Sequence, residues 1–83
     1  MIRVYSSTQC KYCDKLKKLL NNEKIEFINI DVDDEKNKNE CEKLFKFVGE
    51  PIIPIIIINK KVLVPNKSFK TIEEALELIH PLL

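Results

Sequence analysis

The sequence predicts an α/β domain: a four-stranded mixed sheet flanked on both faces by three helices, in the order β-α-β-α-β-β-α. Two observations carry this. Segments whose apolar residues alternate, such as Ile28, Ile30 and Val32, are interleaved with segments at helical spacing, such as Cys13, Leu16, Leu19 and Leu20. The run from Ile52 to Ile58, broken only by Pro54, is apolar on both faces, which suits a strand covered above and below. A length of 83 residues leaves room for one small core, so residues 1–83 are expected to form a single domain.

Each element has its own signal. Ile2 to Tyr5 is β-prone, with Ile2 and Val4 on one face. A polar loop, Ser6-Ser7-Thr8-Gln9, feeds a helix from Lys11 to about Asn21, and Asn21-Asn22 is expected to end it. Ile25 to Val32 reads as the second strand; a helix between two strands implies a parallel pair. The charged stretch Asp33 to Glu40 reads as a loop and first helical turn. Cys41, Leu44, Phe45 and Val48 then make one buried stripe, stopped by Gly49 and Pro51. After the isoleucine-rich strand, Asn59-Lys60 is a two-residue hairpin turn and Val62 to Val64 the edge strand. Pro65 to Ser68 is a loop. Thr71 and Glu74 form a capping box for the last helix, whose core face is Ile72, Ala75, Leu76 and Ile79, and Pro81 closes it.

The chemistry concentrates in Cys10-Lys11-Tyr12-Cys13. At a helix start, side chains three apart share a face, close enough for their sulfurs to join. The unpaired amides and partial positive charge there stabilise a thiolate, so Cys10 is expected to ionise below a free cysteine, with Lys11 an added cation. Cys13, one turn deeper, is placed to attack a mixed disulfide on Cys10. A pair at this spacing beside a βαβ pattern points to thiol redox chemistry. Structural zinc needs four ligands, and the remaining candidates, Cys41 and His80, lie at unrelated spacing, so no metal site is expected. Cys41 reads as core and His80 as an exposed helix end. A net charge of +1, with acids and bases interspersed, gives no basic face for nucleic acid. No apolar run is long enough to span a membrane, the N-terminal stretch is too short for a signal peptide, and an odd cysteine count is no secreted disulfide framework. A cytoplasmic location is expected.

With this order laid out, the chain resembles the glutaredoxins, members of the thioredoxin fold. The resemblance runs from Val4 through Cys10-Lys11-Tyr12-Cys13-Asp14-Lys15 to Leu20, returns at Ile30-Asp31-Val32-Asp33, and resumes at Gly49, Ile53-Pro54 and Ile58-Asn59. It implies a dithiol oxidoreductase with Cys10 and Cys13 as catalytic residues and Lys11, Tyr12, Ile53 and Pro54 as substrate or glutathione contacts. In the family the proline matching Pro54 follows a cis bond and faces the cysteines, leaving the main chain of Ile53 to pair with a substrate peptide. No tightly bound cofactor is implied; glutathione is a co-substrate. The implied partners are disulfide-containing proteins, a ribonucleotide reductase among them, and either glutathione or a thioredoxin-reductase-like flavoenzyme as donor, with the chain a monomer. Some family members instead carry a [2Fe–2S] cluster between two subunits, through the first cysteine and bound glutathione, which is the alternative function.

This sequence departs from the family at two places. Ser7 stands where a lysine is common, and Val64-Pro65-Asn66-Lys67-Ser68 replaces a Gly-Gly-x-Asp segment that holds glutathione. Lys11, Lys67 and Ser68 are the side chains available as substitutes.

Overall fold

The alternating and helical periods are realised as separate layers. The computed structural model describes residues 1–83, with β1 (Ile2–Ser6), α1 (Lys11–Asn22), β2 (Phe27–Asp31), α2 (Lys38–Val48), β3 (Ile55–Ile58), β4 (Lys61–Leu63) and α3 (Ile72–Ile79). Short 3₁₀ turns precede α2 and follow α3. The strand order is β2-β1-β3-β4, with β1 parallel to β2 and the β1–β3 and β3–β4 pairs antiparallel. This is the mixed four-stranded sheet with three helices that the sequence predicts. The isoleucine-rich strand lies inside the sheet, and β4 forms its edge.

Alternation along the strands splits the core in two. Ile2 and Val4 of β1, with Ile56 and Ile58 of β3, meet Leu16 and Leu20 of α1 and Ile72, Ala75 and Ile79 of α3. Tyr5, Ile30 and Ile55 point to the other face and meet Cys41 of α2. Each fully buried Leu or Ile contributes roughly 1.5–3 kcal/mol relative to exposure, so the face with α1 and α3 holds most of the stability. On α2 only Cys41 of the anticipated stripe is fully buried; Leu44, Phe45 and Val48 pack partly covered.

Several element ends differ from the sequence reading. Helix α1 runs one residue further, and the left-handed residue after it is Lys24 at φ 58°, not an asparagine. The Ile25 amide donates to the Leu20 carbonyl at 2.9 Å, so Ile25 belongs to the helix end and β2 starts later, at Phe27. Strand β3 begins only at Ile55: Pro54 has no amide hydrogen to give a ladder, and Ile52 and Ile53 lie outside it. The hairpin falls at Asn59-Lys60, and β4 starts directly after it, one residue earlier than its apolar residues indicate. The capping box is complete: Glu74 N–H donates to Thr71 Oγ1 at 3.1 Å, and Thr71 N–H to Glu74 Oε1 at 3.0 Å.

Candidate active site

The site begins where β1 delivers the chain to α1. Ser6, almost wholly buried, donates through Oγ to Asn29 Oδ1 on β2. Ser7 Oγ donates to Asp33 Oδ2 at 2.6 Å, and Ser7 O accepts the Cys10 amide at 3.3 Å. These bonds tie the loop before the cysteines to both parallel strands. Ser7 is thus used for anchoring.

Cys10 is the N-cap of α1, with extended backbone (φ −107°, ψ 111°), and its carbonyl accepts the Asp14 amide at 3.1 Å. The Cys13 amide donates to Cys10 Sγ at 3.1 Å. An oxygen of Ser or Asp ordinarily takes this bond; here a sulfur takes it. Cys10 and Cys13 are joined in a disulfide, with Cα atoms 5.2 Å apart. Once the bond opens, the same amide and the helix N-terminus favour negative charge on Cys10. Cys13 is fully buried and Cys10 only partly, so an outside disulfide reaches Cys10 first.

Beside the pair lies a groove of about 280 Å³ lined by Tyr12, Ile52, Ile53, Pro54, Pro65, Asn66, Phe69, Lys70 and Ile72. Three of the residues expected to touch substrate, Tyr12, Ile53 and Pro54, are gathered here. Tyr12 is 69% exposed and forms the rim. The Ile53–Pro54 bond is cis, as the resemblance implies, and neither the N–H nor the C=O of Ile53 has a partner within the protein. Lys11 is placed elsewhere, lining a shallow depression on the outer side of α1 with Asp14, Lys15 and Lys18. A roomier hollow of about 670 Å³ on α2 is lined mainly by charged side chains and contains none of these residues.

The remaining candidates fall outside the groove. Lys67 Nζ donates to the Val48 carbonyl at 2.8 Å, and Ser68 Oγ accepts the Val64 amide at 3.0 Å, so both are spent on internal contacts. Cys41 is buried across the sheet; burial first, then Glu40 and Asp31, pushes its thiol up. His80 Nε2 sits 2.8 Å from Glu23 Oε1, at the opposite end of α1 from the cysteines. No group of three or more His, Cys, Asp and Glu is assembled to hold a metal ion. Sequence reasoning missed Ile52, Pro65, Asn66, Phe69, Lys70 and Ile72 as groove residues. Phe69, a buried aromatic in a polar loop, was the available signal.

A four-stranded sheet in this order, with a cysteine pair heading the first helix and a cis proline lining the groove that Tyr12 rims, defines a thioredoxin-like redox fold. The glutaredoxin family profile matches residues 2–63, so the chain belongs to the glutaredoxin family, whose members are thiol–disulfide oxidoreductases. An uncharacterized glutaredoxin-like 8.6 kDa protein in the rubredoxin operon of Clostridium pasteurianum is 39% identical over 56 residues, spanning 66% of this chain and 75% of that one. Among solved structures, the buckwheat glutaredoxin–glutathione complex matches with TM-score 0.71 at 20% identity, over 96% of this chain and 68% of that one. The glutaredoxin-like NrdH-redoxin of Escherichia coli, described as having a thioredoxin-like activity profile, matches with TM-score 0.64 at 21% identity, over 81% of this chain and 84% of that one.

Proposed function

We propose that the protein reduces protein and mixed disulfides through Cys10 and Cys13, and that a flavoenzyme of the thioredoxin-reductase type regenerates it in preference to glutathione. The Cys10 thiolate attacks one substrate sulfur and expels the other as a thiolate, which takes up a proton. The Cys13 thiol then loses its proton and attacks the Cys10 sulfur, expelling the second substrate thiolate. The substrate gains two electrons and two protons, and the protein is left with the Cys10–Cys13 disulfide. The observation that carries this reading is that pair at the head of α1, beside a groove where the Ile53 main chain is unpaired. An extended substrate segment can hydrogen-bond to Ile53, as a strand adds to an edge, while Tyr12 and Pro54 flank it.

The choice of donor rests on residues 64–68. That segment offers no carboxylate, and Lys67 and Ser68 are engaged internally. The Escherichia coli redoxin described as thioredoxin-like offers a precedent for such a profile on this fold. A cytoplasmic location, a monomeric state and a ribonucleotide reductase as natural client complete the proposal. The test supplies the oxidised protein with NADPH and thioredoxin reductase, or with NADPH, glutathione and glutathione reductase. Faster re-reduction by the first system is expected; faster re-reduction by glutathione would reverse the assignment of donor.

A further inference from the structure

The groove has two walls at the adjoining ends of the β3–β4 hairpin, and one side chain braces the second against the end of α2. The first wall, Ile52-Ile53-Pro54, follows the end of α2; the second, Pro65 to Lys70, follows β4. The second wall is folded on itself. Val64 O accepts the amides of Lys67 (3.2 Å) and Ser68 (2.8 Å), and the Asn66 amide donates to Phe69 O at 2.7 Å, with Asn66 at φ 66°. None of these bonds reaches the first wall. Lys67 reaches the segment just before it: its ammonium donates to Val48 O at 2.8 Å and lies 3.9 Å from Glu50 Oε2. Val48 ends α2, so its carbonyl has no helical partner and carries the partial negative charge of the helix terminus. Gly49, at φ 100°, turns the chain directly beneath the contact; Lys67 Nζ is the nearest atom to where its Cβ would lie, at 4.0 Å. No other side-chain hydrogen bond or ion pair joins residues 48–54 to residues 64–70.

We propose that Lys67 is a positioning residue that holds the 65–70 loop against the end of α2 and so sets the width of the groove for polypeptide disulfides. The proposal rests on the reading of Cys10 and Cys13 given above. It acts on substrates long enough to occupy the groove and leaves the sulfur chemistry at Cys10 alone. A small disulfide that reaches Cys10 without filling the groove is indifferent to the clamp.

The test uses pre-reduced protein in single turnover with excess insulin or excess hydroxyethyl disulfide, counting the thiols left on the protein itself by alkylation and intact mass. Lys67 is half exposed, so its variants are expected to fold. For Lys67→Met the half-saturating insulin concentration should rise about threefold to tenfold, the factor that one hydrogen bond of ordinary net strength represents. The limiting rate and the rate with hydroxyethyl disulfide should not change, and Lys67→Arg should restore insulin saturation. Unchanged insulin saturation in Lys67→Met, an equal loss on both disulfides, or failure of Lys67→Arg to rescue would each overturn the assignment. A wild-type protein inactive on both disulfides would overturn the underlying reading as well.

Discussion

Cys10 and Cys13 are three positions apart yet differ in exposure, and in the proposed reaction that difference orders their roles. With Cys13 enclosed, Cys13→Ser should leave Cys10 able to form a mixed disulfide that nothing resolves, seen by mass spectrometry as a stable adduct. Cys10→Ser should form no such adduct and lose disulfide reduction altogether; retained turnover would remove Cys10 as the nucleophile. Cys41 follows different physics. Its thiol is held up by burial, then by Glu40 and Asp31, and the Tyr5 hydroxyl is raised by burial and by its hydrogen bond to Glu40. Both groups keep their protons longer in the folded chain than in the unfolded one. Stability is therefore full below their ordinary values of 9.0 and 10.0 and falls as pH climbs through the raised folded values. The denaturation midpoint of the oxidised protein should drop as the pH rises above 9. Cys41→Ala should flatten the lower part of that drop at a cost of about 1 kcal/mol near neutrality, the order expected for a small cavity. A midpoint independent of pH over this range would show that neither group is coupled to folding.

At the scale of elements, the hairpin between β3 and β4 offers a direct test. Asn59 (φ 49°) and Lys60 (φ 68°) both occupy the left-handed region, the conformation of a two-residue turn that favours Asn followed by Gly. Lysine tolerates this poorly, so Lys60→Gly should stabilise the protein by about 0.5–1 kcal/mol after glycine's own entropy loss. That raises Tm by about 2–8 °C for a domain of this size. A lower Tm would mean that Lys60 makes a contact outweighing its backbone strain. The same residue shows what was and was not legible in the sequence. Apolar periodicity located every helix and strand, and Thr71 with Glu74 announced the start of α3, because periodicity and capping are local chemistry. The end of α1 was not legible, because a lysine, Lys24, takes the glycine-like conformation there, whereas the Asn59-Lys60 turn falls where the sequence puts it. The late start of β3 had another origin: the apolar pattern continues through Ile52 and Ile53, but Pro54 has no amide hydrogen to give a ladder and they lie outside it.

For the molecule as a whole, legibility stops where distant segments meet. The cysteine pair and Pro54 were readable because each stands in a local motif. The groove also needs Ile52, Pro65, Asn66, Phe69, Lys70 and Ile72, which no single period connects, and it excludes Lys11, whose neighbour Tyr12 takes the rim. The two sheet faces are also unequal. Eleven buried residues form the cluster beneath α1 and α3, but only four form the one beneath α2, to which the helix contributes Cys41 alone. Leu44, Phe45 and Val48 add partly covered contacts, and the rest is polar: Tyr5 Oη donates to Glu40 Oε2, and Arg3 Nη1 reaches the same oxygen at 3.2 Å. Elements with little buried apolar surface open first, below the free energy of global unfolding. Amide hydrogen exchange should therefore show α2 opening at lower free energy than α1, β1 and β3. Tyr5→Phe removes one charge-assisted bond and should lower the α2 value by about 1–2 kcal/mol. Because Tyr5 also packs in the smaller cluster, its ring must be retained for that comparison, which phenylalanine does. Equal protection of α1 and α2 would mean that the partly covered Leu44, Phe45 and Val48 bind the helix as firmly as a full core.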